Sequence, residues 1–184
     1  MPQPTDEELA KSAQSGQVQA FATLVGRYEA KMQRYARKFL FGYEDAADLV
    51  QEIFIKAFIN IQSFDAKRSF SPWLYRIAHN MFINEIKKRG REPVPIFDSD
   101  TILPHLIGKL TADDEVLRNE TKEIIDQCLG KLNLKYREAL VLYYYEELDY
   151  KEIAEIMRIP TSTVGIRLKR GKELLKEAYE AIEK

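Results

Sequence analysis

The sequence predicts an all-α protein with two small helical domains joined by a flexible linker, the C-terminal one containing a helix-turn-helix. Apolar residues recur three and four residues apart along most of the chain, which is the period of an amphipathic helix. No useful length of the chain alternates apolar and polar residues as a strand would. Between residues 93 and 112 the helical period disappears and three prolines interrupt the chain, so we place the linker there. The predicted domains are therefore residues 1–92 and 113–184.

Composition limits the classes of function that the chain can have. Its 184 residues suffice for one large domain or two small ones, and 45% hydrophobic residues suffice for a packed core. The net charge of −1, from 28 basic and 29 acidic residues, gives no overall attraction to DNA, so any DNA contact must come from local clusters of charge. No stretch approaches the ~20 apolar residues of a membrane span. The acidic start lacks an apolar signal core, so we expect a cytoplasmic protein without direct membrane insertion.

Residues that usually carry metal or redox chemistry are few and scattered. Cys128 is the only cysteine, which excludes an internal disulfide and a CxxC metal site. His79 and His105 lie far apart and form no recognised metal spacing with Cys128. No serine, cysteine or lysine occupies a nucleophile motif with a nearby base. The sequence therefore predicts no metal, no cofactor and no catalysis by this chain alone.

Four helices are predicted in the N-terminal domain. The T-x-x-E capping box at Thr5 starts a short helix, and a longer one covers residues 19–40. A third helix covers residues 44–61. The fourth begins with Ser71 as its N-cap and Pro72 at its first helical position. The apolar stripe predicted for the third helix comprises Ala47, Val50, Phe54, Ala57, Phe58 and Ile61.

The C-terminal domain ends in two helices joined by a tight turn. Earlier helices are predicted for residues 114–129 and from Asn133 to residue 146. A D-x-x-E capping box at Asp149 starts the next helix, which Pro160 separates from the last one. Thr161 is the predicted N-cap of the last helix, because its hydroxyl can accept a backbone hydrogen bond.

This pair has the pattern of a helix-turn-helix, in which the second helix enters the DNA major groove. Val164 and Leu168 are predicted to face inward, and short polar residues at the helix tip can approach bases and phosphates. Arg158 stands where a glycine often allows positive φ, so the turn carries a small strain or has another geometry. The pattern also suits an ordinary helical hairpin with a basic, solvated face.

Several sequence blocks occur in an order that identifies a family. They are residues 44–54, residues 70–80 followed by the basic residues 87–91, residues 132–141, residues 152–154 and residues 163–164. Together the blocks resemble bacterial RNA polymerase sigma factors of the two-domain extracytoplasmic-function (group 4) type. The resemblance covers nearly all of residues 20–176. Arg158 in the turn and the pair Asn84–Glu85 depart from the common pattern, which leaves the promoter preference open.

The resemblance implies a transcription initiation factor whose partners are core RNA polymerase and promoter DNA. Its N-terminal domain would bind the polymerase and melt the −10 element, and its C-terminal domain would bind the −35 element. The polymerase would perform the chemistry, so the resemblance does not imply an enzyme. An anti-sigma factor is a further candidate partner, because members of this family are often held inactive by one.

Each implied surface also has a chemical reason. Asp48 and Glu52 share a helix face, which suits a basic helical partner, although it is equally a solvated acidic face over a buried Phe54. A protein that holds unstacked bases needs amide groups for the base edges, cations for the phosphates and aromatic pockets for the rings. Trp73 is assigned to the core instead, because of its helical spacing with other apolar residues. The predicted polymerase contacts are Asp48, Gln51, Glu52 and Phe54. The predicted −10 contacts are Phe64, Lys67, Arg68, Arg76, Asn80, Lys87, Lys88 and Arg89. The predicted −35 contacts are Thr161, Ser162, Thr163, Arg167, Lys169 and Arg170.

Two other classes of function remain consistent with the residues alone. A DNA-binding regulator could recognise an operator with only its C-terminal domain, and charge reversal at Asp48 or Glu52 would then leave its activity unchanged. A helical adaptor could sequester a partner without touching DNA, and alanine at Arg167 and Arg170 would then have no effect. An enzyme lacks support, because no convergent set of catalytic groups is present.

Overall fold

Every regular element in the described part of the chain is helical. The computed structural model describes residues 3–40, 44–88, 90 and 115–182, with side chains from residue 123 onward in the last range. The predicted linker lies outside these residues. The N-terminal domain contains α1 (Asp6–Gln14), α2 (Val18–Phe39), α3 (Ala46–Ile59), a short 3-10 turn (Ile61–Ser63) and α4 (Phe70–Lys88). The C-terminal domain contains α5 (Glu115–Lys131), α6 (Leu134–Leu140), a π-helical turn (Val141–Tyr145), α7 (Tyr150–Met157) and α8 (Thr161–Glu180).

α2 provides one wall of the N-terminal core. The shorter α1 lies before it and begins at the predicted capping box: the Thr5 hydroxyl accepts from the Glu8 N–H and the Glu8 carboxylate accepts from the Thr5 N–H. Tyr35, near the C-terminal end of α2, is fully buried, and its ring centroid lies 5.2 Å from that of Phe82 on α4. Such edge-to-face pairs contribute about 0.5–1.5 kcal/mol beyond the burial of their area.

The buried stripe of α3 differs from the predicted one. Ala47 is exposed and Phe58 is 41% exposed, whereas Leu49 and Ile53 are buried. The spacing rule failed here because α3 carries apolar residues on most of its sides, so several stripes satisfy the same period. Packing against α2 and α4 selects the buried one.

α4 begins on an aromatic cluster. The ring centroids of Phe64, Phe70 and Trp73 lie 5.3–5.5 Å apart, and all three side chains are buried. The assignment of Trp73 to the core is thus confirmed. The helix starts at Phe70, one residue before the predicted N-cap Ser71. The Phe70 N–H donates to the Glu7 carboxylate of α1 at 3.0 Å, a long-range cap that local sequence rules do not detect.

The helix predicted to follow Asn133 and run to residue 146 is shorter and ends irregularly. Asn133 is the N-cap of α6, and its side chain accepts from the Lys135 N–H. After Leu140 the chain widens into the π-helical turn, and Glu147 then adopts a left-handed conformation with φ of 56°. Single π-helical turns of this kind often occur at functional sites.

The helix-turn-helix forms with one correction. Asp149 and Glu152 make the predicted capping box, and Arg158 occupies a left-handed conformation with φ of 53° and ψ of 48°. Thr161 does not cap α8: Pro160 takes the N-cap position without a side-chain hydrogen bond, and Thr161 is the first helical residue. Val164 and Leu168 are buried, as predicted.

The two domains contact each other, with α4 packed on α7 and α2 packed on α5, α6 and the π-helical turn. Arg137 of α6 lies in this contact and is buried. Its guanidinium donates to the carbonyls of Leu129, Gly130 and Leu132 near the end of α5, and to the Phe39 carbonyl at the end of α2 at 3.0 Å. A cation is stabilised where helix carbonyls converge. Burial lowers the pKa of Arg137 to about 10, so the side chain remains charged at neutral pH.

Candidate nucleic-acid and partner interfaces

The predicted polymerase surface on α3 is exposed, but its composition differs from the prediction. Asp48, Gln51 and Glu52 all reach solvent. Phe54 does not: it is 9% exposed and belongs to the hydrophobic core, so its ring is covered in this structure and its polymerase contact stays a prediction. The exposed face that carries Asp48 and Glu52 continues instead through Ile55 and Ile59.

Ile55 and Ile59 are 59% and 72% exposed, which is unusual for large aliphatic side chains. They follow Asp48 at intervals of seven and eleven residues, so all three lie on one helix face. We call the set Asp48, Gln51, Glu52, Ile55 and Ile59 the α3 face. An apolar patch with an acidic edge is typical of a protein interface. Continuing the helical period from Asp48 and Glu52 along α3 reaches positions 55 and 59, so the sequence could have placed both isoleucines on this face.

Only part of the predicted −10 set is free to contact a nucleic acid. Phe64 is 5% exposed and packs on Phe70 and Trp73, so its ring is covered in this structure and its base contact stays a prediction. Lys67, Lys87 and Lys88 are exposed. Asn80 is half-buried, and Arg89 lies outside the described residues.

Two predicted −10 cations contact the C-terminal domain. Nη2 of Arg68 lies 2.8 Å from Oε2 of Glu155, and Nη1 of Arg76 lies 3.3 Å from Oε1 of the same residue. Glu155 belongs to α7, the scaffold helix of the helix-turn-helix. Two guanidinium groups from the N-terminal domain therefore converge on one carboxylate, an arrangement that would also hold a phosphate.

The N-terminal half of α8 presents the predicted −35 residues. Thr161, Ser162 and Lys169 are exposed, and Thr163 and Arg167 are half-buried. Arg170 is also half-buried, and its Nη1 lies 3.3 Å from the Glu173 carboxylate one turn further along.

One side chain on this surface escaped the prediction. Ile166 is 67% exposed and lies about one helical turn after Ser162 and one turn before Lys169. The rules that assign DNA contacts favour cations, hydroxyls and amides, so an isoleucine was not considered. An apolar side chain in a major groove is suited to the methyl group of thymine.

A second polar contact between the domains is buried. Nε and Nη2 of Arg34 donate to the two carboxylate oxygens of Glu146 at 2.8 and 2.9 Å, and the Tyr75 hydroxyl donates to Glu146 Oε2 at 2.6 Å. The Glu146 side chain has no exposed surface. Burial, together with the Glu146 carboxylate, raises the pKa of Tyr75, so its hydroxyl stays protonated and donates.

Glu138 makes the third interdomain contact. The Tyr35 hydroxyl donates to Glu138 Oε1 at 2.5 Å, and Nδ1 of His79 lies 2.5 Å from the same oxygen. Burial raises the pKa of Tyr35 well above its usual range, and the Glu138 carboxylate adds to this effect. Within the described residues, every buried side-chain nitrogen or oxygen has a hydrogen-bond partner. We refer to Glu138, Glu146 and Glu155 as the interdomain carboxylates.

A search of the described residues for other kinds of site gives little. No group of three or more His, Cys, Asp and Glu side chains there is arranged to hold a metal ion. Cys128 is buried, and burial raises the pKa of its thiol. None of the described helices has the length and apolar character that crossing a membrane requires.

Comparison with known proteins decides what these surfaces belong to. Models of Sigma-70 region 2 and Sigma-70, region 4 match residues 24–92 and 122–175. The ECF RNA polymerase sigma factor SigW of Bacillus subtilis (strain 168) is 37% identical over 181 residues, which cover 91% of this chain and 92% of SigW. The chain belongs to the extracytoplasmic-function (ECF) sigma factors. It is a promoter-recognition factor for the initiation of transcription by RNA polymerase.

Two further relatives show how widely the similarity extends along this sigma factor. The ECF RNA polymerase sigma-E factor of Escherichia coli (strain K12) is 34% identical over 178 residues, covering 93% of this chain and 92% of the relative. The solved structure of CnrH in complex with the cytosolic domain of CnrY superimposes with a TM-score of 0.73 at 27% identity. That match covers 97% of this sigma factor and 99% of the other chain.

Proposed function

We propose that this sigma factor divides its work between two domains along the predicted boundaries. Residues 1–92 bind core polymerase and the −10 element, residues 113–184 bind the −35 element, and residues 93–112 connect them. The observation that carries the proposal is the match of both sigma regions, each on a separate set of helices. This division favours a sigma factor over a stand-alone regulator, which would need only the C-terminal domain.

The α3 face is the proposed polymerase-binding surface. Its two isoleucines supply apolar area, and Asp48 and Glu52 supply charge that selects a basic partner. The partner is a segment of core polymerase with apolar residues bordered by cations. We propose that the chain contributes no catalytic group, since the polymerase performs the chemistry.

Promoter DNA meets two surfaces. On the N-terminal domain the proposed contacts are Asn80 with the cations Lys67, Arg68, Arg76, Lys87 and Lys88. On α8 they are Thr161, Ser162, Thr163, Ile166, Arg167, Lys169 and Arg170. Binding shared between two tethered modules gains more from their linkage than from the affinity of either one.

Control by a second protein is part of the proposal. The related chain CnrH was solved in complex with the cytosolic domain of CnrY. By analogy, a protein that binds this sigma factor is a candidate partner, and the anti-sigma factor implied by the family resemblance is the one we propose. Its work with polymerase implies a cytoplasmic location.

Run-off transcription with bacterial core polymerase tests the central claim. The wild-type protein should direct transcripts from a subset of genomic promoter fragments. Asp48→Lys with Glu52→Lys should abolish both transcripts and co-purification with the core enzyme, because the variant presents cations to a basic partner. Glu29→Lys, a change of the same sign at an exposed position of α2, is the control and should remain active. Full activity of the α3 double variant would refute the polymerase surface and favour the stand-alone regulator.

A further inference from the structure

Helix α1 lies alongside the segment that connects α3 to α4. Leu9, Ala10 and Ala13 of α1 are buried, and the helix packs on α2, on the 3-10 turn after α3 and on α4. The Sigma-70 region 2 model matches residues 24–92, so α1 lies outside the match. The match therefore assigns no role to α1, and its contacts indicate one instead.

Gln14, at the end of α1, holds the beginning of this connection. We call residues 61–69 the α3–α4 segment. The half-buried Gln14 side chain donates through Nε2 to the carbonyls of Ile61 at 2.9 Å and Phe64 at 2.7 Å, which uses both protons of its amide group. The Gln62 side chain donates in the opposite direction, to the Gln14 carbonyl at 2.8 Å. Three hydrogen bonds thus tie the first residues of the segment to α1.

Glu7, near the start of α1, holds the other end of the α3–α4 segment. Its carboxylate accepts at 3.0 Å from the N–H of Phe70, the first residue of α4. Glu7 and Gln14 are seven residues apart, so they lie on one face of α1 and are separated by about 10 Å along its axis. One helix therefore fixes the distance between the two ends of the segment.

Between these two ends the α3–α4 segment presents two of the proposed −10 contacts. Ile61 and Phe64 are buried, whereas Lys67 and Arg68 are exposed. The Lys67 N–H donates to the Asp65 carboxylate at 3.0 Å, and the Arg68 N–H donates to the Asp65 carbonyl at 2.9 Å. Both cations consequently lie in a tight turn whose flanks are attached to α1.

We propose that α1 is a positioning element for −10 recognition, in which Gln14 and Glu7 hold the α3–α4 segment in the shape that receives the DNA strand. This inference rests on the proposed function, because that function assigns Lys67 and Arg68 to the −10 element. Gln14 and Glu7 act through the segment and are not themselves DNA contacts.

An ordered segment improves both affinity and selectivity. A segment that is ordered before binding loses less conformational entropy when the strand arrives, so it binds more tightly than a flexible one. It also holds its DNA-binding groups at fixed distances from one another. A strand with a wrong base then loses contacts that a flexible segment would recover by changing shape.

The test measures how well the holoenzyme discriminates between two oligonucleotides. Holoenzyme containing wild-type or variant sigma factor is titrated with a labelled single-stranded −10 oligonucleotide, whose sequence comes from the wild-type transcripts, and with a copy in which one base is replaced. The ratio of the two dissociation constants does not depend on the fraction of protein that is folded. A variant that merely lowers stability therefore leaves this ratio unchanged.

Gln14→Ala should weaken binding of the matched oligonucleotide by about fivefold, the factor that one hydrogen bond typically contributes, and should weaken binding of the mismatched one less. Discrimination should therefore fall. Glu7→Ala should have the same effect from the other end of the α3–α4 segment. Glu7→Gln should retain wild-type discrimination, because its amide oxygen can still accept from the Phe70 N–H.

Thr5→Ala is the matched control. It removes a side-chain hydrogen bond that caps α1, from a hydroxyl whose bond stays within the start of that helix, and should leave discrimination unchanged. All four variants should bind core polymerase with an affinity within about twofold of wild type, the effect expected of changes outside an interface, since the α3 face is intact.

Wild-type discrimination in both Gln14→Ala and Glu7→Ala would overturn the proposal. An equal loss in Thr5→Ala would also overturn it, because α1 would then act only through the general stability of the domain. Wild-type holoenzyme that makes no transcripts from the promoter fragments would instead refute the proposed function.

Discussion

At the scale of single residues, Arg158 shows what a tight turn demands of its backbone. Its φ of 53° lies in the left-handed region, where a Cβ atom crowds the following carbonyl and costs about 1–2 kcal/mol. Arg158→Gly should therefore raise the free energy of unfolding by about 1 kcal/mol. Arg158→Ala is the control, because it removes the same side chain and keeps the Cβ atom, so it should give no such gain. Urea denaturation of the three proteins makes the comparison, and equal effects of Gly and Ala would mean that the turn is not strained.

Ile166 leads to a prediction about the −35 element. If its side chain contacts a thymine methyl group, replacing that thymine with deoxyuridine should weaken holoenzyme binding to the promoter by several-fold, because one buried methyl contributes about 0.8 kcal/mol. Ile166→Ala should weaken binding to the thymine promoter by a similar factor and should be insensitive to the deoxyuridine substitution. Electrophoretic mobility shifts with one substituted base at a time would identify the position. Sensitivity of the Ala variant equal to that of wild type would exclude this contact.

The isoleucines of the α3 face should contribute to polymerase affinity. Ile55→Ala with Ile59→Ala should weaken binding to core polymerase at least about tenfold, since removing apolar residues from the centre of an interface commonly costs more than 1 kcal/mol. Lys56→Ala changes an exposed residue at the edge of the same helix and should alter affinity by less than about twofold. Titration of labelled sigma factor with core enzyme measures both. Equal losses would place the interface elsewhere on α3.

At the scale of elements, α6 and α8 approach closely at Gly171. A Cβ atom there would lie 3.1 Å from the Leu140 side chain and 3.4 Å from the Tyr136 carbonyl, whereas at Gly165 it would lie 3.5 Å from the Tyr150 ring, an ordinary contact. Gly165→Ala should raise the free energy of unfolding by about 1 kcal/mol through helix propensity. Gly171→Ala should lose that gain to overpacking, which typically costs about 1–3 kcal/mol. Thermal unfolding of the pair measures the difference, and equal stabilisation would show that Leu140 yields to the added methyl group.

Prediction of the elements worked where local chemistry determines structure. The capping boxes at Thr5 and Asp149 join residues three positions apart, so sequence alone identifies them. The start of α4 and the end of α6 depend on distant residues instead. Glu7 caps the Phe70 N–H from another helix, and Leu140 passes into a π-helical turn that packs against α2. No short-range pattern contains that information.

The candidate site divides in the same way. Exposure of the charged α3 residues could be predicted because a helix face follows from spacing. The burial of Phe54 and Phe64 could not be predicted, because the sequence pattern of an aromatic residue in the core is the same as that of an aromatic residue that contacts a ligand. The pairing of Arg68 and Arg76 with Glu155 joins two domains through contacts more than 75 residues apart, which periodicity does not encode.

At the scale of the whole molecule, the domain contact should make unfolding cooperative. The free chain should unfold in one calorimetric transition, because the buried apolar residues of the two domains form one cluster, so unfolding either domain exposes apolar surface of the other. Glu138→Gln with Glu146→Gln should separate this into two transitions, or make the calorimetric unfolding enthalpy exceed the van't Hoff enthalpy. Glu180→Gln makes the same change in an ion pair with Lys176 within α8 and should leave a single transition. Two transitions already present in the wild type would mean that the domains do not stabilise each other.

The contact between the domains combines two kinds of surface. Its carboxylates, phenols and guanidinium groups are readily solvated by water, whereas the buried apolar residues of the two domains form one continuous cluster. A chain whose domains part would therefore expose apolar area together with charge, and the charge would limit aggregation of the exposed apolar area.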